Sequence, residues 1–274
     1  MVHKIKTLQK QRNLLEMFVS SLKNNLNNNK PLDINDENYF DKIIEIHGFL
    51  SKLDYFIIDF LLNYQKNING NYLEIGSLHG KTLALILKHC LNNEKVFSVD
   101  PGDYENIIRS NLKFLNIDKL TYIKNTSDNI LNYDIKDIKF CHIDGCHSFE
   151  VCYQDLCNTM KYMNDNGIIV LDDFVINEYN GIVAAFFKAL YTNKISFVPL
   201  LTSDRKLYLC SKSIYDDLYN NIKSNIYNYF NLTFYKTKIP QLNIAIQKFD
   251  IYEMLSISTY RNYIDEPGYI KKLN

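Results

Sequence analysis

The chain has 274 residues, enough for one large domain or one domain with appendages. Its 31 Lys and Arg residues balance its 31 Asp and Glu residues. It therefore lacks the global basic field by which proteins hold nucleic acid or an anionic membrane. Six cysteines form no C-x-x-C pair, which argues against a disulfide framework or a zinc site. Without a signal-peptide core or a membrane-length apolar run, we expect a cytoplasmic protein.

The N-terminal segment, residues 1–66, is predicted to be helical. Apolar periodicity within residues 1–29 fits an amphipathic helix, and residues 39–47 suggest a second, short helix. Ser51 is expected to cap a third helix that reaches Leu62.

Strands and helices alternate over residues 67–212. The predicted strands are 72–75, 95–99, 120–124, 138–143, 167–171, 195–200 and 206–210. The predicted helices are 80–91, 104–115, 127–132, 148–163 and 180–192. Short apolar strands separated by helices predict an α/β fold with a doubly wound, seven-stranded, mostly parallel sheet. The last two strands are joined by a short turn and should form an antiparallel pair at one edge. Residues 213–274 form a Tyr-rich extension, with a helix expected over 214–230.

The stretch NYLEIGSLHG, from Asn71 to Gly80, predicts a buried strand, a glycine turn and the start of a helix. Such a turn brings backbone N–H groups and a helix N-terminus close to a ligand. The pattern E-x-G-x-x-x-G departs from the dinucleotide fingerprint and resembles motif I of class I S-adenosylmethionine-dependent methyltransferases. Glu74, Gly76, Ser77 and Gly80 are therefore candidate cofactor contacts.

Two later strand ends carry further candidate cofactor contacts. Asp100 ends the second strand and follows Glu74 at close to the spacing of about 20 residues at which a carboxylate meets a ribose. The alternative is a cap on the helix after Pro101. In class I methyltransferases a polar residue after the third strand commonly flanks the adenine, and Ser127 or Asp128 could do so here. Capping of the next helix is the alternative, and the two roles are compatible.

Carboxylates also end the fourth and fifth predicted strands, at Asp144 and at Asp172 and Asp173. Ligands bind at the carboxyl ends of strands in open α/β sheets, so these groups should converge on the crevice of Glu74 and Asp100. Crowded carboxylates repel one another unless they are neutralised, and an all-oxygen ligand set favours Mg²⁺. The alternative is a loop or cap role for Asp172 or Asp173. Both can bind one metal only if the chain bends there.

His147 follows Asp144 by three residues and precedes a predicted helix. A helix N-terminus would lower the pKa of His147 and favour its neutral form. A neutral imidazole beside Asp144 could act as a general base on a substrate hydroxyl. The alternative is a structural histidine bonded to a loop carbonyl, which is the role expected for His142.

The runs IDGCHSFEVCYQDL, NGIIVLDDF and KLYLC together resemble the Methyltransf_24-type and macrocin O-methyltransferase-like class I enzymes. The resemblance implies that Asp144, Asp172 and Asp173 hold Mg²⁺ and that His147 is the base. It also implies an O-methyltransferase that uses S-adenosylmethionine to methylate a hydroxyl of a small molecule or a sugar.

Two positions depart from the family pattern. Cys146 stands where many relatives have Asp or Gly, and Asn166 replaces the first residue of a Gly-Gly pair. We expect a methyltransferase domain over 67–212, with segments 1–66 and 213–274 as lid and acceptor pocket. The alternatives are a cephalosporin-hydroxylase-like metal enzyme on the same fold and a non-catalytic binding module. The sequence leaves open whether the chain forms a homo-oligomer.

Overall fold

The structure is a computed structural model, and it describes residues 36–91, 93–174, 176–192, 194–203, 205–234, 242–249 and 252–259. The chain divides into two compact units, residues 1–42 and 43–274. The helix predicted within residues 1–29 lies outside the described residues. None of the described helices has the length and apolar character needed to cross a bilayer.

Seven α-helices and nine strands make up the described part of the chain. The helices are α1 (Asp36–Glu45), α2 (Lys52–Tyr64), α3 (Lys81–His89), α4 (Glu105–Asn111), α5 (Phe149–Thr159), α6 (Asn180–Tyr191) and α7 (Tyr215–Phe234). The strands are β1 (Asn71–Ile75), β2 (Val96–Asp100), β3 (Leu120–Lys124), β4 (Ile138–Ile143), β5 (Met163–Leu171), β6 (Phe197–Thr202), β7 (Leu207–Ser211), β8 (Leu242–Phe249) and β9 (Tyr252–Thr259). The segment predicted as a helix over 127–132 is a 3₁₀ turn, Ser127–Asn132.

The nine described strands form one sheet in the order β3-β2-β1-β4-β5-β7-β6-β9-β8. Strands β1 to β5 pair in parallel, and β7 is antiparallel to both β5 and β6. The predicted α/β class, the parallel core and the antiparallel pair are thus confirmed. The sheet exceeds the seven predicted strands because β9 adds in parallel to β6 and β8 closes the edge beside it.

The register of the parallel strands aligns their carboxyl ends. Ile75 of β1 lies beside Val99 of β2 and Ile143 of β4, and Ile143 lies beside Leu171 of β5. These residues are buried, since helices cover both faces of a parallel sheet. The residues that follow them therefore emerge together along one edge, which is where ligands bind in such folds.

Helix α2 begins as predicted, with the Ser51 hydroxyl oxygen accepting a hydrogen bond from the Asp54 N–H at 3.0 Å. Every residue from Leu53 to Leu62 is buried, so the helix is covered on more than one side. The reason is tertiary, because α7 packs on the helix from another side. Tyr229 of α7 donates a hydrogen bond to the buried Asp59 carboxylate at 2.5 Å.

The tyrosines of α7 bind to neighbouring elements. The Tyr215 hydroxyl lies 2.5 Å from the Glu253 carbonyl oxygen of β9, and the Tyr219 hydroxyl lies 2.5 Å from the Glu253 carboxylate. The Tyr64 hydroxyl of α2 reaches Asp217 of α7 at 2.7 Å. The Glu253 contacts hold α7 against β9 within the C-terminal extension, and the Tyr64 contact joins α7 to α2.

Candidate active site

The turn after β1 is built around two glycines with left-handed backbone. Gly76 has φ +84° and Gly80 has φ +86°, a conformation that favours residues without a Cβ. A Cβ placed on Gly76 would lie 1.9 Å from the Asp144 carbonyl oxygen. The Asp144 N–H also donates to the Ile75 carbonyl at 2.8 Å. The turn and the end of β4 are therefore in direct backbone contact.

Asp100 holds this turn in place. Its carboxylate accepts hydrogen bonds from the N–H groups of Ser77 at 2.8 Å and Leu78 at 3.0 Å. Its other oxygen accepts from the Gly102 N–H at 2.8 Å, and the Ser77 hydroxyl bonds to Ser98. A carboxylate offers about four acceptor positions, so these bonds leave room for a ribose hydroxyl. The ribose role of Asp100 stays a prediction.

Glu74 lies at the bottom of the crevice. One carboxylate oxygen, Oε1, is 2.9 Å from His142 Nδ1. The other, Oε2, is buried and has no hydrogen-bond partner among the described residues. Burial raises the pKa of Glu74, and the neighbouring His142 lowers it in part. An unpartnered buried oxygen is costly and is typical of a site that receives a ligand or water.

A buried cation that the sequence analysis missed lies beside this pair. Lys206 Nζ bonds to the Asp172 carboxylate and is 3.2 Å from His142 Nε2. Burial lowers the pKa of Lys206, but Asp172 and other carboxylates outweigh it and the net pKa is raised. His142 thus bridges Glu74 and Lys206, whereas a bond to a loop carbonyl was expected.

Asp173 turns out of β5 with φ +54° and faces two basic groups. Its Oδ1 accepts from Arg205 at 2.7 Å, and its Oδ2 is 3.2 Å from His147 Nε2. Asp144 Oδ1 is 3.9 Å from the same His147 nitrogen. The chain bends at Asp173, which a metal site shared by Asp172 and Asp173 would require, but the two carboxylates contact different partners.

The structure reverses the expected pKa shift of His147. The Asp144 carboxylate raises the pKa of His147, burial opposes this, and the Asp173 carboxylate raises it further. The helix N-terminus predicted to lower the pKa is outweighed because two carboxylates face the ring directly. The His147 imidazole is therefore protonated more readily than an ordinary histidine, and it would have to lose that proton before it could serve as a base.

The predicted metal ligands divide between two clusters. One comprises His142, Asp144 and Asp172, and the other comprises Asp144, His147 and Asp173, each with its ligand atoms within 4.8 Å of one another. In the first cluster both Asp172 oxygens are engaged, by Lys206 and by the Asp173 N–H. In the second cluster both Asp173 oxygens also have partners, Arg205 and His147, but Asp144 and His147 are partly exposed, so a divalent cation would have easier access there.

Ser127 and Asp128 begin the 3₁₀ turn after β3. Thr126 occupies the N-cap position and makes no side-chain cap bond. Ser127 is half-buried, and Asp128 is exposed and accepts from the Asn129 amide at 3.2 Å. Neither side chain caps the turn, and their adenine contacts stay a prediction.

Sequence reasoning missed three residues around the crevice: Lys206, Arg205 and Tyr179. The first two precede β7, and the antiparallel register pairs Leu207 with Leu171, directly before Asp172. The charged pair Arg205 and Lys206, immediately before the apolar strand β7, was the sequence signal that could have revealed both residues. Tyr179 packs its ring against His147, with ring centroids 4.1 Å apart. No local pattern marked that contact.

Residues 73–174 match the family model Methyltransf_24, which describes a methyltransferase domain. The matched range includes both the glycine turn and the Asp172–Asp173 pair. A relative from Acanthamoeba polyphaga mimivirus, Uncharacterized protein R132, is 28% identical over 151 residues. That alignment covers 50% of this chain and 63% of the relative, so the chain spans less than two thirds of the relative's length.

Solved structures share the fold. The O-methyltransferase from Bacillus cereus in complex with SAH aligns with a TM-score of 0.51 and 17% identity, covering 72% of this chain and 97% of that one. A protein from Klebsiella pneumoniae, provisionally described as an O-methyltransferase, aligns with a TM-score of 0.52 and 14% identity, covering 70% and 96%. At these identities the likeness establishes the class I methyltransferase fold.

Proposed function

We propose that this chain, whose residues 73–174 form a methyltransferase domain of the Methyltransf_24 family, transfers the methyl group of S-adenosylmethionine to a hydroxyl oxygen. One observation carries the proposal. The glycine turn expected to hold the methyl donor touches the backbone of Asp144, whose side chain lies with His147 and Asp173. Donor and acceptor groups would therefore meet in one crevice.

The turn and the neighbouring strand ends would hold the methyl donor. Gly76 and Gly80 give the turn its left-handed backbone, and the buried Glu74 Oε2, which has no partner among the described residues, offers an acceptor for a donor group of the ligand. Asp100 would contact the ribose while keeping the turn in shape. Ser127 and Asp128 lie at the end of β3, where the adenine would fit. The proposed cofactor contacts are Glu74, Gly76, Ser77, Gly80, Asp100, Ser127, Asp128 and Asp144.

His147 would act on the acceptor. In the proposed step the acceptor oxygen forms a bond to the methyl carbon as the carbon–sulfur bond breaks. The hydroxyl proton passes to His147, and S-adenosylhomocysteine leaves with the sulfur electron pair. Asp144 and Asp173 would stabilise the imidazolium that results. Holding the two reactants in line contributes up to about 7–11 kcal/mol to such a reaction.

Magnesium assistance belongs to the same proposal. Asp144 and Asp173 would hold the ion, with His147 beside it, and Asp172 would join only by giving up Lys206. A bound divalent cation would lower the pKa of an acceptor hydroxyl. The contrasting possibility is that Lys206 and Arg205 already balance the carboxylates, since both are bonded to them.

We propose a small molecule or a sugar as the acceptor. The balanced charge of the chain supports a neutral acceptor over nucleic acid or a membrane surface. The His147 side chain is 34% exposed, which leaves its imidazole open to a hydroxyl of a small acceptor.

Calorimetric titration with S-adenosylhomocysteine tests the donor half. We expect micromolar affinity for the intact chain, and weaker affinity in Glu74→Gln and Asp100→Asn. Asp134→Asn is the matched control, because the Asp134 side chain is 86% exposed and, within the described part of the chain, pairs with Lys136 alone. A folded protein that binds neither S-adenosylhomocysteine nor S-adenosylmethionine would refute the methyltransferase proposal and favour a binding module.

Transfer of labelled methyl from S-adenosylmethionine to a panel of hydroxylated sugars and phenols tests the acceptor half. We expect His147→Gln to lower turnover at least about a hundredfold while donor affinity is kept, and Asp144→Asn to lower both turnover and donor affinity. Loss of turnover with EDTA and recovery with Mg²⁺ would support the ion. Full turnover in EDTA would exclude a role for the ion in catalysis. Lys206 and Arg205 would then be the charges that neutralise the carboxylates. A metal-dependent reaction without methyl transfer would favour the hydroxylase-like alternative.

A further inference from the structure

We propose that Tyr179 is a positioning residue that fixes the imidazole of His147 in the crevice. The inference rests on the proposed role of His147 as the base. The two ring centroids are 4.1 Å apart and the ring planes are tilted by 45°. This is direct ring-to-ring packing, slightly closer than the roughly 4.5–7 Å between centroids that aromatic pairs usually adopt.

The backbone holds Tyr179 at this position. Tyr179 ends a 3₁₀ turn, Asn177–Tyr179, that runs directly into α6, and its N–H donates to the Ile176 carbonyl at 3.0 Å. Two residues later, Gly181 packs against the chain around His147. A Cβ on Gly181 would lie 2.9 Å from the Phe149 nitrogen and 3.3 Å from the His147 carbonyl oxygen. The start of α6 therefore contacts the His147 segment through both backbone and ring.

The edge of the His147 ring is held by the carboxylates. Nε2 is 3.2 Å from Asp173 Oδ2, and Asp173 is in turn held by Arg205 at 2.7 Å. The His147 side chain is 34% exposed, so without packing on its face it would be free to change rotamer. Asp173 thus orients Nε2 of His147, and the ring of Tyr179 limits rotation of the His147 imidazole.

The ring of Tyr179, rather than its hydroxyl, makes the contact. Among the described residues the Tyr179 hydroxyl has no recorded hydrogen-bond partner, whereas the ring packs on His147. Tyr179→Phe keeps this packing surface and Tyr179→Leu removes the aromatic face. The two variants therefore separate the positioning role from a polar role of the hydroxyl.

The test compares wild type, Tyr179→Phe and Tyr179→Leu by two independent measurements. The first is the NMR spectrum of the histidine side chains, of which there are six in the chain, with His147 assigned through His147→Gln. We expect Tyr179→Leu to shift the His147 ring resonances and Tyr179→Phe to leave them close to wild type. The second is steady-state kinetics of methyl transfer. We expect kcat to fall about ten- to a hundredfold in Tyr179→Leu, with KM and S-adenosylhomocysteine affinity unchanged, and to be restored in Tyr179→Phe.

Gly181→Ala provides a second perturbation if Tyr179→Leu does not fold, because its Cβ must push the start of α6 away from residues 147–149. It should shift the same His147 resonances. Unchanged His147 resonances in both variants would overturn the inference, as would equal loss of kcat in Tyr179→Phe and Tyr179→Leu. If wild type binds no S-adenosylhomocysteine, the proposed function fails, while the NMR comparison still decides whether Tyr179 positions His147.

Discussion

Asp155 is a buried carboxylate that we expect to destabilise the folded chain at neutral pH. It lies on α5 and is 1% exposed. Neither of its oxygens has a hydrogen-bond partner among the described residues. A Cβ on Gly145 would lie 3.1 Å from Oδ2, so the carboxylate sits directly against the loop after β4. Burial raises the pKa of Asp155 to about 6, and the Ser127 hydroxyl, which lies nearby without forming a full hydrogen bond, lowers it in part.

The sign and size of the effect follow from this pKa. The ordinary value is 3.8, so the folded chain holds the proton more tightly than the unfolded chain. Well below pH 3.8 both states are protonated and the group has no effect. As pH rises towards 6 the unfolded state releases its proton first, and stability falls. Well above pH 6 the loss of folding free energy is complete. It amounts to about 3 kcal/mol, because the pKa differs by about two units between the folded and unfolded chains.

Asp155→Asn removes the charge and keeps the shape of the side chain. We expect its free energy of unfolding to exceed that of wild type by up to about 3 kcal/mol at pH 8 and by about half as much at pH 5. Urea unfolding followed by far-ultraviolet circular dichroism measures the difference. Asp134→Asn, which removes an exposed carboxylate, controls for net charge. No gain at pH 8, or a gain that is equal at both pH values, would refute the reasoning.

Three further predictions concern the crevice. Gly76→Ala should lower the free energy of unfolding by about 2–4 kcal/mol, because its Cβ meets a carbonyl oxygen at 1.9 Å; a variant as stable as wild type in thermal unfolding would contradict the turn geometry. Lys206→Met should cost about 3–5 kcal/mol in urea unfolding by leaving Asp172 buried without its cation, and adding Asp172→Asn should recover at least half of that loss. NMR titration should place the pKa of His147 above 6.5 in wild type and lower in Asp144→Asn; an equal or higher pKa in the variant would rule out Asp144 as the cause.

Local patterns were sufficient for the parallel core and for the edge of the sheet that carries the site. Short apolar runs separated by helical segments predicted the bounds of β1 to β7 to within a few residues. They did so because a strand buried on both faces must be almost wholly apolar. The strand-end carboxylates were predicted to converge for the same reason, and Asp144, Asp172 and Asp173 do emerge along one edge. The hairpin of β8 and β9 was not predicted, since an edge pair need not be apolar on both faces.

The sequence by itself determined the fold class, the glycine turn and the line of carboxylates, since each depends on residues close together in the chain. Only the tertiary structure decided which charges face those carboxylates. Lys206 and Arg205 reach Asp172 and Asp173 through the pairing of β5 with β7, and Tyr179 reaches His147 through the packing of α6. These contacts join residues that are distant in sequence, and no local pattern records the register that brings them together. The raised pKa of His147 follows from that same packing, because its neighbours, not its position in the chain, set the charge around it.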